Sequence, residues 1–172
     1  GEVEVDRGQA DGQRIERVHL DPPVTIHPRV AEVIAGLDAV VIGPGSFFTS
    51  LMPIFAVDGC REAMRQMNGP VLLVANLLTE GRGMAHFTAA EEARQLAAAI
   101  GRPVDIVIWN NVRQGDEVLE RYAAEHKQPL PLGDLPPDTR LVEGAFWLGP
   151  IARHHRRRLR AAVWAALASA CF

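Results

Sequence analysis

The chain has 172 residues, 48% of them apolar and 23% charged, which suits one core-burying domain rather than two. A formal charge of −3 supplies no global field for nucleic acid or for an anionic membrane surface. The two cysteines, Cys60 and Cys171, have the spacing of neither a metal knuckle nor a redox pair, which fits a reducing cytoplasm.

The chain opens Gly1-Glu2-Val3-Glu4-Val5-Asp6, with neither an initiator methionine nor a charged-then-apolar leader. We therefore expect a fragment or a processed form. The apolar residues 161–172 are too few to span a bilayer, so membrane insertion is not expected. Residues 2–5 and 14–20 alternate polar and apolar side chains around a turn signal at 9–12, the pattern of a half-exposed hairpin. Residues 28–37 carry Val30, Val33 and Ile34 at helical spacing, and Ala39-Val40-Val41-Ile42 follows without a polar break, as in a strand covered on both faces.

After Gly43-Pro44-Gly45-Ser46, the residues Val57, Cys60, Ala63, Met64 and Met67 recur at helical spacing, and Asn68-Gly69-Pro70 closes that helix before an apolar run at 71–75. This is one β-α-β unit. Thr88-Ala89-Ala90-Glu91 is a capping box, Ala93, Leu96, Ala97 and Ile100 continue a buried stripe, and Gly101 ends it. A third apolar strand at 105–109 ends in Asn110-Asn111, and an amphipathic helix follows at about 116–125. Residues 128–148 are proline-rich, with a short strand at 140–142. Leu159, Ala162, Val163, Ala166, Leu167 and Ala170 form the apolar stripe of a terminal helix opposed by Arg156, Arg157 and Arg160.

Buried strands alternating with helices predict a Rossmann-like three-layer α/β/α fold with a mainly parallel sheet. Ligands in such sheets sit at the carboxyl ends of the strands, which singles out the loops at 43–50, 76–86 and 110–111. In the first loop, glycines permit close backbone approach while Ser46, Thr49 and Ser50 add hydroxyls, a composition suited to phosphate. A strand-to-helix turn that binds nothing has the same spacing, and Ser46 lacks the Gly-x-Ser-x-Gly elbow of a nucleophile. Asn76, Thr79 and Glu80 open a long loop reaching His86, either a substrate loop or a surface connection. Asn110 and Asn111 suit either a base or sugar contact or a local turn. The run Arg153-His154-His155-Arg156-Arg157-Arg158 reads mostly as a solvated face with one or two phosphate contacts, and no zinc or magnesium ligand set is apparent.

Residues 37–53, then Arg61-Glu62-Ala63, the strand at 71–79 ending in an asparagine and a threonine, Phe87-Thr88, Ile108-Trp109-Asn110-Asn111, and the weaker 121–125 and Arg153-His154 resemble the YvcK/CofD-like family, from about residue 1 to residue 167. The resemblance implies a Rossmann-like domain for a nucleotide-linked ligand. Its YvcK branch comprises cytoplasmic proteins associated with carbon metabolism, cell envelope and cell shape, and is linked to nucleotide-sugar binding. Its CofD branch transfers a phospholactyl-type group from a guanosine diphosphate donor to a deazaflavin precursor, using magnesium. Gly43-Pro44-Gly45-Ser46 followed by Thr49-Ser50 is closer to the YvcK branch than to the Pro-Ser-Asn pattern of the transferases, so binding is expected over transfer. Residue by residue, the resemblance implies ligand contacts at Gly43, Gly45, Ser46, Thr49, Asn76, Asn110, Tyr122 and Arg153, with no catalytic residue, metal ligand or certain cofactor. The chain departs from the family in residues 79–86, which replace a more acidic stretch, and in His155, where an aspartate is usual. The family begins with a glycine-rich phosphate loop on its first strand, which nothing upstream of Gly43 provides. We therefore expect 1–172 to be a single CofD-like domain lacking that segment, with an exposed sheet edge that favours a homodimer.

Overall fold

The computed structural model describes residues 15, 17–81, 84 and 86–171. The hairpin expected at 2–5 and 14–20 falls largely outside them, and its described part, 15 and 17–20, forms no strand.

Four strands, β1 (Val40–Ile42), β2 (Val71–Val74), β3 (Ile106–Asn110) and β4 (Arg140–Gly144), form a parallel sheet in chain order. The second strand is buried throughout, and its side chains alternate between two cores. Val71 and Leu73 face one core with Phe47, Met64, Leu96 and Ile100, while Leu72 and Val74 face the other with Ile106, Ile108, Phe146 and Ala166. Helices cover both faces, so the three-layer α/β/α expectation holds. The first core lies under α1 (Pro28–Ala35), α2 (Met52–Phe55), α3 (Cys60–Gln66) and α4 (Ala89–Ile100), and the second under α6 (Arg156–Cys171). Between β3 and β4 runs α5 (Asp116–Ala123). No helix among the described residues is long and apolar enough to cross a membrane.

Local chemistry sets the boundaries. Thr88 Oγ1 accepts the Glu91 N–H at 3.1 Å, as the capping box requires, and Gly101 closes α4 in the left-handed region at φ +73°. The sheet end opposite the loops is tied by Asp105, whose carboxylate accepts the Val71 N–H at 2.7 Å and pairs with Arg102 at 3.6 Å. Arg102 also donates to the Met67 and Gly69 carbonyls.

Three expectations need correction. β1 is an edge strand among the described residues, so Val41, expected under cover on both faces, is 41% exposed. Val30 and Val33 of α1 point outward and Ile34 alone of that stripe packs on the core. Ala170, expected in the stripe of α6, is exposed and lines an open groove with Leu37 and Pro70.

The turn into β2 leaves no space for a side chain at residue 69, because a Cβ on Gly69 would lie 1.9 Å from the Asp38 carbonyl oxygen. Gly69→Ala is expected to cost about 1–3 kcal/mol as β1 and β2 are forced apart. Thermal melting checks it, at roughly 2–4 °C of lowered midpoint per kcal/mol.

Candidate functional site

The carboxyl ends of β1 and β2 open into a cleft of about 630 Å³, closed on the far side by Tyr122 at the end of α5 and by the start of α6. Gly43 begins the first loop at φ +82°, and a Cβ there would approach the Val74 carbonyl oxygen to 2.9 Å. A side chain is excluded by both conformation and space. The loop passes through Pro44, Gly45 and Ser46 into a π-helical turn at Phe47–Leu51, whose Phe47, Phe48 and Leu51 are buried. Phe47 meets Phe48 edge-on, with ring centroids 5.0 Å apart.

The second loop is locked across its base. The Thr79 N–H donates to the Gln128 carbonyl at 2.8 Å, and Thr79 Oγ1 accepts the Gln128 N–H at 3.1 Å. These bonds hold Glu80 over the first loop. Glu80 Oε2 accepts from Ser46 Oγ at 2.8 Å and from the Phe47 N–H at 3.0 Å, and Oε1 accepts from Asn76 Nδ2 at 3.0 Å. Thr49 Oγ1 donates to Ser46 Oγ at 2.5 Å, leaving the Ser46 proton to point at Glu80. Ser46, Thr49 and Asn76 thus converge, and the group they converge on is a carboxylate of the protein itself.

Behind this wall lies a second carboxyl group. Glu92 is 1% exposed, accepts the Asn76 N–H at 3.4 Å through Oε2, and has no hydrogen-bond partner for Oε1 among the described residues. Burial, with Glu80 nearby, pushes its pKa from 4.5 up to about 8, against the Asn76 hydrogen bond that lowers it. Glu92 is therefore protonated near neutrality.

Lys127, Arg153 and Arg156 also line the cleft, with His154. Lys127 pairs with Glu125 at 2.6 Å. Burial holds the His154 pKa below its ordinary value, opposed by a hydrogen bond to the Ala75 backbone. Tyr122 accepts the Ala152 N–H at 2.7 Å on its hydroxyl and stacks edge-on with Trp147 at 5.9 Å, which positions the chain before Arg153.

Of the residues singled out in the sequence, Gly45, Ser46, Asn76, Tyr122 and Arg153 line the cleft, while Gly43 and Thr49 support it from behind. Asn110 does not reach it. Its Oδ1 accepts the Phe146 and Trp147 N–H groups, both at 2.9 Å, and its Nδ2 donates to the Val112 carbonyl at 2.8 Å, so it organises a local turn. His86 is exposed outside the cleft. Sequence reasoning missed Lys127 and the carboxyl role of Glu92. Lys127 carries no signal, whereas Glu92 stands on the buried stripe of α4 between Ala89 and Leu96, an acid where an apolar residue is expected. No group of three or more His, Cys, Asp or Glu able to hold a metal occurs among the described residues.

The family model described as 2-phospho-L-lactate transferase CofD matches residues 1–140. A Thermotoga maritima relative is 32% identical over 114 residues, covering 66% of this chain and 36% of the relative. One from Deinococcus radiodurans is 31% identical over 157 residues, covering 87% of this chain and 33% of the relative. The gluconeogenesis factor of Bacillus subtilis is 31% identical over 121 residues, covering 69% and 38%. A crystal structure of a UPF0052 family member from Bacillus halodurans superposes with a TM-score of 0.82 at 25% identity, covering 95% of this chain and 54% of that one. The chain thus spans about a third of the length of these curated relatives and about half of the crystallised neighbour.

The buried Glu92 sets a pH dependence. Its raised pKa means that the folded state holds a proton the unfolded chain releases, so the stability that Glu92 contributes is fully present below about pH 4.5 and is lost as pH rises toward about 8. Glu92→Gln is expected to flatten this decline and to raise the melting midpoint at pH 8 relative to pH 5. Melting curves across pH 5–9 check it; equal slopes for both proteins would refute the assignment.

Proposed function

The chain belongs to the CofD family, and from that premise we propose that it is a nucleotide- or nucleotide-sugar-binding regulatory protein of the YvcK type, acting in the cytoplasm in carbon metabolism, cell envelope and cell shape. The observation that carries this reading is the cleft's mixed lining, with Lys127, Arg153 and Arg156 together with Ser46, Asn76 and Glu80. The cations suit phosphate, since arginine forks match its oxygens. The hydroxyl and amide groups suit sugar hydroxyls. Gly43, Gly45, Thr49 and Tyr122 support these contacts, whereas Asn110 contributes through the turn it holds.

A second reading follows the description of the matching family model, 2-phospho-L-lactate transferase CofD, for which the family resemblance implies transfer from a guanosine diphosphate donor to a deazaflavin acceptor with magnesium. Among the described residues the cleft is lined by one carboxylate, Glu80, which accepts from Ser46, the Phe47 N–H and Asn76 and so does not fit a protein-held magnesium ion. Regulation by binding is therefore the function we propose.

Calorimetry with a panel of nucleotides and nucleotide sugars tests it. Micromolar to millimolar binding of at least one member is expected, with Arg153→Ala weakening it about ten-fold, the worth of one charge-assisted hydrogen bond. No binding to any member would overturn the reading, and turnover with the guanosine diphosphate donor and deazaflavin would replace it with transfer.

We also assign the protein a homodimeric state, supported by the position of β1 at the sheet edge among the described residues and by its exposed Val41. Light scattering is expected to give twice the chain mass, reduced to one chain mass by Val41→Lys; a monodisperse monomer for the unmodified protein would refute it.

A further inference from the structure

Leu159, Val163 and Ala166 turn α6 onto the second core, so the opposite side of the helix faces solvent. That outer side carries Arg157, Arg160 and Trp164 at i, i+3 and i+7, a spacing that an α-helix brings to one face. All three are exposed, and Trp164, at 73%, is the most exposed large apolar side chain among the described residues. Beside the start of the helix, Ile151 is 66% exposed and shares a shallow hollow with Leu148 and Arg157. Neither Arg157 nor Arg160 has an ion pair or side-chain hydrogen bond with another described residue, and no Asp or Glu follows Glu143 in the chain.

A single exposed apolar residue is ordinary, but a tryptophan aligned with two unpaired arginines is a specific combination. Indole has an apolar body and a polar N–H edge, which suits the headgroup layer of a bilayer. Arginine lays its aliphatic stem along apolar surface and turns its guanidinium to phosphate oxygens. A second copy of the same face is a poor partner, because an isologous contact would set Arg157 and Arg160 near their own copies.

We propose that the outer face of α6 is a docking surface for an anionic lipid bilayer, with Trp164 in the headgroup layer and Arg157 and Arg160 on lipid phosphates. Ile151 adds apolar contact beside Arg157. The chain lies on the surface and does not cross it. Its net charge of −3 gives no long-range attraction, so this face also orients the molecule on the membrane. None of these residues lines the cleft, and the inference is independent of the ligand reading.

Co-sedimentation of the full chain with vesicles tests it, pure phosphatidylcholine being compared with an equimolar mixture of phosphatidylcholine and phosphatidylglycerol. Binding is expected to the mixture alone, and to disappear at high salt. R157A is expected to weaken it about five-fold and R157A/R160A about twenty-five-fold, the worth of one and two cations near an anionic surface. Tryptophan emission is expected to shift to the blue on binding, and W164F, which keeps Trp109 and Trp147, to lose that shift. The substituted side chains face solvent, so melting midpoints are expected to stay unchanged. No binding to the mixture overturns the inference, as does binding that R157A/R160A leaves intact or that W164F leaves with its full shift. An emission shift with polyglutamate but not with vesicles also overturns it and assigns the face to an acidic protein segment. Self-association that W164A abolishes, without vesicle binding, overturns it in favour of a second copy.

Discussion

Burial of β2 on both faces is the constraint on which the rest of the molecule depends. Its four apolar residues contribute alternately to two cores, so the strand stays in place only while α3 and α4 cover one side and α6 the other. Parallel pairing with β1 and β3 follows from this three-layer stacking, and it brings the carboxyl ends of the strands to one edge. The loops that build the cleft therefore leave the sheet side by side. At the opposite edge, Arg102 and Asp105 clamp the turn into β2 through the carbonyls of residues 67 and 69 and the Val71 N–H. One end is tied down, and the other is left open to carry side chains.

At that open end, electrostatics is arranged by burial. Glu80 is kept at the surface of the cleft by donors from two loops, whereas Glu92, only a short step behind Asn76, lies in the core and keeps its proton. Two carboxyl groups of similar intrinsic acidity thus differ in charge through environment alone. The uncompensated buried oxygen of Glu92 is a cost to stability, and such costs concentrate at sites under functional constraint. Tyr122 and Trp147 stiffen the approach to Arg153, so that part of the cleft is held by packing and a hydroxyl–backbone hydrogen bond.

Much of this was legible in the sequence. The apolar runs ending in Gly43, Asn76 and Asn110 have the period of buried strands, Thr88 and Glu91 mark the start of α4, and the order of these elements predicts a parallel sheet. The family resemblance seen in residues 37–53 and 71–79 agrees with the model match over residues 1–140. Exposure was not legible. Val41 and Val30 carry the same apolar signal as buried neighbours, yet among the described residues β1 lies at the sheet edge and Val30 points outward from α1.

Periodicity and capping are local properties, so the buried strands, the capped helices, their order and the end of the sheet at which a site could form are readable from the residues alone, whereas the π-helical turn at Phe47–Leu51 is not. The tertiary structure alone decided what the site is made of. It turned Asn110 into a turn residue, carried Glu80 onto the loop at 43–46, and brought Lys127 to the lining of the same cleft. Hydrogen bonds between residues more than 30 positions apart and the desolvation of Glu92 depend on how the loops cross in space, which no local pattern encodes.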